Sequence, residues 1–239
     1  MGTRDTGEPN TGETNTGETN TRGANHDRDD RTAPRTGLFI TLEGGDGSGK
    51  STQSSLLAAW LQGHGRTVVV SREPGGTDLG LELRDIILHR RGYIAPRAEA
   101  LLYAADRAHN IATKVRPALD RGDIVLQDRY LDSSVAYQGA GRVLDPTEVR
   151  NLSLWAAEGL LPDLTILLDL DETVGRTRLD DARTKYDRLE EEKSDFHNRV
   201  RASYLALAEA EPERFLVLPA AESIEAIADR IRAKVSELL

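Results

Sequence analysis

The sequence predicts an α/β fold in which helices cover both faces of a five-stranded parallel sheet. Short apolar runs recur at intervals that suit alternating strands and helices, at residues 38–42, 67–70, 124–126, 164–170 and 215–218. Amphipathic stretches with apolar residues three and four positions apart lie between them, at 51–61, 98–119, 146–158 and 224–238. Uninterrupted apolar strands separated by helices are typical of parallel sheets buried on both faces.

The first 36 residues are predicted to remain outside this fold as a disordered polar leader. Residues 6–25 repeat a five-residue unit, TGEPN-TGETN-TGETN-TRGAN, that offers almost nothing to bury. Such a tract cannot offset the conformational entropy that ordering would cost. Residues 37–239 are enough for one well-buried core, so we predict a single folded domain after the leader.

Composition excludes several classes of function. The formal net charge of −9 argues against nucleic acid as the main partner, because phosphate backbones select proteins with a basic face. The chain has no cysteine, which excludes disulfides and thiolate metal sites and fits a reducing compartment. Its apolar runs are all shorter than the roughly 18 residues of a membrane-spanning helix. We therefore expect a cytoplasmic protein without a membrane partner.

The first predicted strand leads directly into a glycine-rich loop. Residues 44–52 read GGDGSGKST and contain the phosphate-binding pattern GxxxxGKS, with a strand before it and a helix after it. Lys50 would reach the β- and γ-phosphates of ATP, and the Ser51 hydroxyl would ligate Mg²⁺. The predicted nucleotide-binding residues are Gly44, Gly45, Asp46, Gly47, Ser48, Gly49, Lys50, Ser51 and Thr52.

This loop occurs in phosphotransferases, nucleotide-dependent switches and ATPases. A guanine-nucleotide switch normally carries Asn-Lys-x-Asp, and no Asn here is followed by Lys. An ATPase is expected to have an apolar strand that ends in Asp-Glu, and ILLDLDE at 166–172 comes close. We interpret its Asp169 as a cap of the next helix, because Asp128 is a better acidic strand end. The phosphotransferase and the ATPase both remain open at this point.

Two more polar segments follow predicted strands. REPGGT at 72–77 follows the second strand and is expected to form a loop, and DRYLDSSVAYQG at 128–139 follows the third. Ligands of such sheets bind beyond the carboxyl ends of the strands, so both segments should border one cleft. Arg72 could hold a second phosphate opposite the first, or it could be a surface arginine beside an ordinary turn. The 128–139 segment carries more polar groups than a fold requires.

With these three segments in this order, the sequence resembles the thymidylate kinase family over almost all of residues 38–239. The resemblance implies a P-loop nucleoside-monophosphate kinase fold, with a five-stranded parallel sheet flanked by helices and a mobile lid. It also implies a homodimer that transfers the γ-phosphoryl group of ATP to dTMP with Mg²⁺, giving dTDP and ADP. A kinase for another nucleoside or nucleotide is the alternative within the class. An ATPase that drives a partner would leave Arg72, Arg129 and Gln138 without a role.

The resemblance assigns the phosphate and sugar contacts. Arg72 and Arg129 would clamp the dTMP phosphate in line with the γ-phosphorus. Asp128 would orient Arg129 or a magnesium-bound water. Asp46 would accept a hydrogen bond from the sugar 3′-hydroxyl, unless it only stabilises its own loop. Tyr137 is expected to crowd the ribose 2′ position and so reject ribonucleotides.

The resemblance also assigns the base contacts. Tyr103 matches the aromatic residue that stacks on thymine, although packing in the core would explain it too. Arg107, one helical turn later, would hydrogen-bond the base or the phosphate. Gln138 offers an amide to the pyrimidine edge. Ser134 completes the predicted substrate-binding residues.

Residues 176–193, RTRLDDARTKYDRLEEEK, are the predicted lid. By itself such a charged run is typical of a solvated helix face. It follows the fourth strand, however, where kinases of this fold carry a lid that closes over ATP. Some thymidylate kinases have a catalytic arginine within the P-loop, where this sequence has Gly47 and Ser48. The resemblance therefore implies a catalytic lid arginine, with Arg188 as first choice and Arg183 as second.

Overall fold

A five-stranded, all-parallel sheet forms the centre of the structure, which is a computed structural model. Its strands lie in the order β2-β3-β1-β4-β5. They are β1 (Leu38–Glu43), β2 (Val68–Arg72), β3 (Ile124–Asp128), β4 (Leu164–Asp169) and β5 (Phe215–Pro219). Asp128 pairs with Leu42 on one side and with Arg72 on the other, so the carboxyl ends of these three strands meet at one edge. The predicted sheet is confirmed.

The structure describes residues 1–2, 36–90, 92–182 and 186–239. Nearly all of the predicted leader lies outside these residues, and so does Arg183. Arg35–Leu239 form a unit of their own by internal contacts. None of the helices in the described ranges is long and apolar enough to cross a lipid bilayer.

Nine α-helical segments connect or follow the strands in the described ranges. They are α1 (Lys50–Gly63), α2 (Asp78–His89), α3 (Pro96–Asn110), α4 (Arg116–Asp120), α5 (Leu131–Ser134), α6 (Pro146–Ala156), α7 (Glu172–Ala182), α8 (Ser194–Ala210) and α9 (Ile224–Ser236). Two π-helical segments, Ile111–Val115 and Val135–Gly141, continue α3 and α5. The predicted helix at 98–119 is therefore three successive pieces.

Helices α2 and α8 are additions to the predicted elements. In α8 the buried residues are Phe196, Val200, Tyr204 and Ala208, a stripe only one residue wide at every fourth position. Such a narrow stripe within a charged segment gives a weak periodic signal. The helix packs mainly against the 135–141 segment, a tertiary contact that no local sequence pattern predicts.

Both faces of the sheet are covered, because neighbouring strand residues point to opposite sides. Ile40 and Leu42 of β1 pack with Leu57 of α1 and Ile231 of α9. Phe39, on the other face, packs in a second cluster with Ile111, Val115, Leu119 and Val125. The helices thus hold the carboxyl edge of the sheet rigid beneath the three polar segments.

Candidate active site

Three glycines of the glycine-rich loop have positive φ values, and at two of them a side chain would also collide with the backbone. Gly44 and Gly47 have φ values of +132° and +75°, a region that L side chains rarely adopt. A Cβ atom at Gly44 would lie 2.4 Å from the carbonyl oxygen of Leu168, and one at Gly47 would lie 2.6 Å from that of Gly175. These residues let the loop pass directly over the end of β4 and the start of α7.

Lys50 is folded onto the loop that it belongs to. Its Nζ donates hydrogen bonds to the carbonyl oxygens of Gly44 at 3.0 Å and Gly45 at 2.7 Å. Burial, and next to it the charge of Arg129, lowers the pKa of Lys50 to about 8. The ammonium therefore lies where a phosphate can replace the two carbonyls.

Ser51 and Asp128 come together at the entrance to α1. The Ser51 hydroxyl donates to Asp128 Oδ2 at 3.2 Å. Asp128 Oδ1 is buried and has no hydrogen-bond partner among the described residues. An unpaired carboxylate oxygen beside a hydroxyl fits a magnesium ion, which prefers oxygen ligands and keeps positions for phosphate and water. No group of three or more acidic, histidine or cysteine side chains in the described ranges offers a fuller cage.

Arg129 occupies the centre of the cleft. Its backbone is left-handed, with φ +65°, a strained conformation for a residue with a side chain. The guanidinium donates to the Gly44 carbonyl at 3.0 Å, forms a short ion pair with Asp46 and lies 4.9 Å above the Tyr137 ring. Burial by itself raises the pKa of Asp46, but Arg129 and Lys50 outweigh it and lower that pKa to about 2.

A hydrogen-bonded cluster contacts the Arg129 guanidinium, and it consists of Glu43, Ser133 and Tyr204. Glu43 accepts hydrogen bonds from the hydroxyls of Ser133 at 2.6 Å and Tyr204 at 2.9 Å. Both hydroxyls in turn accept from Nη1 of Arg129, at 3.3 and 3.4 Å. Burial, and next the charge of Asp132, raises the pKa of Glu43. Glu43 and Tyr204 are functional candidates that the sequence analysis missed. An acid at the strand end was a usable signal for Glu43, but Tyr204 had none.

Another wall of the cleft is formed by the end of β2 and by α2, and it carries two cationic side chains. We call it the Arg72 wall. Arg72 ends β2, and its Nε donates to the Gly75 carbonyl at 3.4 Å. Arg84, from α2, donates to the Pro74 carbonyl at 2.9 Å and was not among the predicted site residues. Burial, and next the charge of Arg72, lowers the pKa of Arg84. Both side chains line the cleft, which gives this wall the positive charge that a second phosphate requires.

The buried face of α3 also borders the cleft. Tyr103 lies there and borders the cleft, with 9% of its surface exposed. Arg107 lies one turn further along. It donates to Glu73 at 2.9 Å, to Ser153 at 3.0 Å and to Ser134 at 3.1 Å. Arg107 thus braces the loop after β2, and direct contacts of Arg107 and Ser134 with a substrate stay predictions.

Tyr137 and Gln138 project from the π-helical segment after α5. The Tyr137 hydroxyl donates to Asp46 Oδ2 at 3.1 Å, which joins this segment to the P-loop. The Gln138 amide donates from Nε2 to Glu99 of α3 at 2.9 Å. Both side chains line the cleft beside Tyr103.

The lid segment presents a different arginine to the P-loop from the one expected. Arg188 donates to the Ile87 carbonyl at 2.9 Å and to Glu99 at 2.6 Å, so in this structure it lies against α2 and α3. Arg178 of α7 lies nearer the P-loop, donating to the Ala220 carbonyl at 3.0 Å and approaching the Gly47 carbonyl at 3.5 Å. Arg178 belongs to the charged run, but its spacing alone did not single it out.

The interpretation of Asp169 as a helix cap is wrong. Asp169 is the last residue of β4, and both its oxygens accept hydrogen bonds from Arg201, at 2.7 and 3.0 Å. Asp171 does the capping instead, since it accepts from the Thr173 backbone N–H at 3.1 Å. Strand β4 still includes Asp169, so the next helix starts later, at Glu172.

A single cleft of about 450 Å³ connects these groups. Lys50 and other P-loop residues line it, and so do Arg72 and Tyr103. The candidate residues of the 128–139 segment also line it, whereas Arg188 does not. Two phosphorylated ligands could therefore meet above Arg129.

Comparisons with known proteins agree with this geometry. The sequence model of the thymidylate kinase family matches residues 42–231. Thymidylate kinase of Leifsonia xyli subsp. xyli is 75% identical over 201 residues, covering 84% of this chain and 95% of its own. That of Clavibacter michiganensis subsp. michiganensis is 70% identical over 204 residues, covering 85% and 97%. A crystal structure of thymidylate kinase from Ehrlichia chaffeensis is similar with a TM-score of 0.68 and 29% identity, covering 83% of this chain and 98% of that one.

Proposed function

The chain belongs to the thymidylate kinase family, and from that premise we propose how its residues transfer the γ-phosphoryl group of ATP to dTMP, giving dTDP and ADP. The observation that carries the proposal is the continuous cleft between the P-loop and the Arg72 wall, with Arg129 at its centre. Phosphoryl transfer needs mainly positioning and neutralisation of charge, and this cleft offers both.

The P-loop holds the donor phosphates. Lys50 exchanges its two carbonyl partners for the β- and γ-phosphates, a stronger charge-assisted contact in a buried place. Ser51 and Asp128 would hold the Mg²⁺ ion, and the unpaired Oδ1 of Asp128 supports this assignment. When bound, the ion supplies neutralisation of the charge that develops between the β- and γ-phosphate oxygens.

The acceptor phosphate is held by Arg72 and Arg129. Asp46 accepts a hydrogen bond from the sugar 3′-hydroxyl, a role supported by its low pKa, which keeps the carboxylate ionised at neutral pH. Tyr137 bonds to Asp46 and so borders the same sugar, where its ring leaves no room for a 2′-hydroxyl. Tyr103 stacks on the base, and Gln138 hydrogen-bonds its edge.

A lid arginine contacts the transferring phosphoryl group when the lid closes. Arg188 would have to leave Glu99 to do so, and Arg183 is the second candidate. We expect Arg188→Ala or Arg183→Ala to lower kcat by on the order of 10³, the usual effect of losing such an arginine. Single-turnover measurements with saturating ATP and dTMP separate this loss from slow product release. If both variants keep nearly wild-type kcat, neither Arg188 nor Arg183 acts on the phosphoryl group, and the hypothesis is wrong.

An acceptor panel tests the function itself. ADP formation from ATP is measured with dTMP, UMP, dCMP and thymidine in turn. We expect dTMP to be clearly the best acceptor, and ADP to form only when an acceptor is present. Steady ATP hydrolysis that ignores dTMP would instead indicate an ATPase.

The resemblance to the family also supports a homodimer that works in the cytoplasm. Both substrates are charged nucleotides that do not cross a membrane unaided, which supports that location. Sedimentation velocity at micromolar concentration tests the oligomeric state, and a species of about 26 kDa alone would contradict the dimer.

A further inference from the structure

Glu99 lies where three elements meet, in contact with Gln138, which is proposed to bind the base. It is on the buried face of α3 and has no exposed surface. Its Oε1 accepts hydrogen bonds from Nε2 of Gln138 at 2.9 Å and from Nε of Arg142 at 3.2 Å. Its Oε2 accepts from Nη2 of Arg188 at 2.6 Å. One carboxylate therefore joins α3, the segment that carries Gln138 and the lid.

The charge of Glu99 dictates which way the Gln138 amide points. Burial by itself raises the pKa of Glu99, but Gln138 and Arg142 outweigh it and keep that pKa below its ordinary value. An ionised carboxylate only accepts hydrogen bonds, so the amide must turn its NH₂ group toward Glu99. A flipped amide would oppose two oxygens in a buried place and leave a charge-assisted hydrogen bond unmade.

The amide oxygen is then the atom left to meet a ligand, because Gln138 lines the cleft. At the pyrimidine edge, thymine presents an N3–H donor, whereas cytosine presents a bare N3 acceptor and a C4 amino group. An oxygen facing that position accepts from thymine and is repelled by cytosine. Uracil has the same edge as thymine, so this contact treats the two alike.

We propose that Glu99 is a specificity-determining positioning residue, which fixes the Gln138 amide so that its oxygen selects thymine over cytosine. The inference rests on the proposed function, since it assumes that the base of dTMP lies against Gln138. It adds to that function a residue that touches no substrate itself. Glu99 acts through the amide, and Arg142 keeps it ionised and in place when Arg188 moves to the phosphoryl group.

The test is the choice between three acceptors in the Glu99→Gln variant. The new amide can donate as well as accept, so Gln138 becomes free to flip and to offer its NH₂ group to cytosine. We expect kcat/KM for dCMP relative to dTMP to rise by about 10- to 100-fold, the range for one buried hydrogen bond gained or opposed. The ratio for dUMP relative to dTMP should stay unchanged, which a general loosening of the pocket would not produce.

Glu192→Gln is the matched control. Glu192 is the other carboxylate partner of Arg142, and its ion pair does not include Gln138. This variant should keep the wild-type ratio of dCMP to dTMP. If Glu99→Gln folds poorly, the double variant Glu99→Gln/Arg142→Gln takes its place, because it conserves the net charge of the cluster. The double variant should show the same rise in the ratio of dCMP to dTMP.

Two outcomes overturn the inference. One is an unchanged dCMP-to-dTMP ratio in both Glu99 variants. The other is a parallel rise for dUMP. In either case wild-type preference for dTMP leaves the proposed function standing, whereas a wild-type enzyme that does not phosphorylate dTMP would refute the function first.

Discussion

At the scale of single residues, the proposed phosphate contact of Lys50 should make phosphate binding depend on pH. Its pKa of about 8 in the ligand-free protein lies below the ordinary 10.5, and phosphates would restore the charged form. ATP binding should therefore take up a proton between about pH 8 and pH 10.5, and affinity for ATP should fall as pH rises through this range.

Titration calorimetry measures this proton uptake directly. Binding enthalpies at pH 9 in two buffers with different ionisation enthalpies give the number of protons taken up. Lys50→Arg is the control, because arginine stays charged throughout and should take up none. A wild-type value of zero at pH 9 would contradict the low pKa.

The proposed role of Tyr137 in sugar selection belongs to the same scale. Its hydroxyl bonds to Asp46, and its ring lies under Arg129, so the side chain is fixed where the sugar is expected. Tyr137→Ala should open this space and raise kcat/KM for UMP relative to dUMP, on the order of tenfold. Comparing these two acceptors isolates the 2′-hydroxyl, and an unchanged ratio would count against steric exclusion.

At the scale of elements, α8 reaches across the molecule to hold Arg129. The Tyr204 hydroxyl bonds to Glu43 at the end of β1 and to the guanidinium of Arg129. A strained backbone conformation persists only where the surrounding structure holds it. These hydrogen bonds help to hold Arg129 in its left-handed conformation. A helix that the sequence pattern does not reveal therefore contributes to the proposed acceptor site.

Tyr204→Phe should weaken dTMP binding without affecting ATP. The hydroxyl bonds to Glu43, Ser133 and Arg129. Losing the bond to Arg129 alone costs about 1–2 kcal/mol, so KM for dTMP should rise roughly 5- to 30-fold while KM for ATP changes little. Thr41→Val is the control, since it removes a buried hydroxyl bonded to Thr165 elsewhere in the sheet. If both variants lose stability alike and neither changes KM for dTMP, Tyr204 is only structural.

At the scale of the whole molecule, every candidate residue lies within the unit Arg35–Leu239. The repeat leader carries none of the motifs, so its removal should leave kcat and both KM values within about twofold of the full chain. The acceptor assay on full-length protein and on a chain starting near Arg35 checks this. A large loss of activity in the shorter chain would assign the leader a role in catalysis.

The acidic balance of the chain does not extend to the cleft, whose lining has six basic and five acidic side chains. Lys50, Arg72 and Arg129 line it together with Arg84 and Arg178, although the chain as a whole carries −9. Net charge describes solubility and long-range attraction, whereas a folded cleft gathers a few cations from separate loops. The expectation of a small-molecule partner agrees with that arrangement.

The sequence by itself determined the parallel sheet, the P-loop and the two polar segments, because each is written in consecutive residues at a strand end. It also brought Ser51, Asp128, Arg129 and Gln138 toward one edge, since parallel strands end together. Only the tertiary structure decided which partner each side chain takes. Glu43 meets Tyr204 across 161 residues and Glu99 meets Arg188 across 89, and no local pattern encodes such pairings. Those contacts depend on how helices pack on the sheet, so the orientation of Arg129 and of the Gln138 amide emerges only in the folded chain.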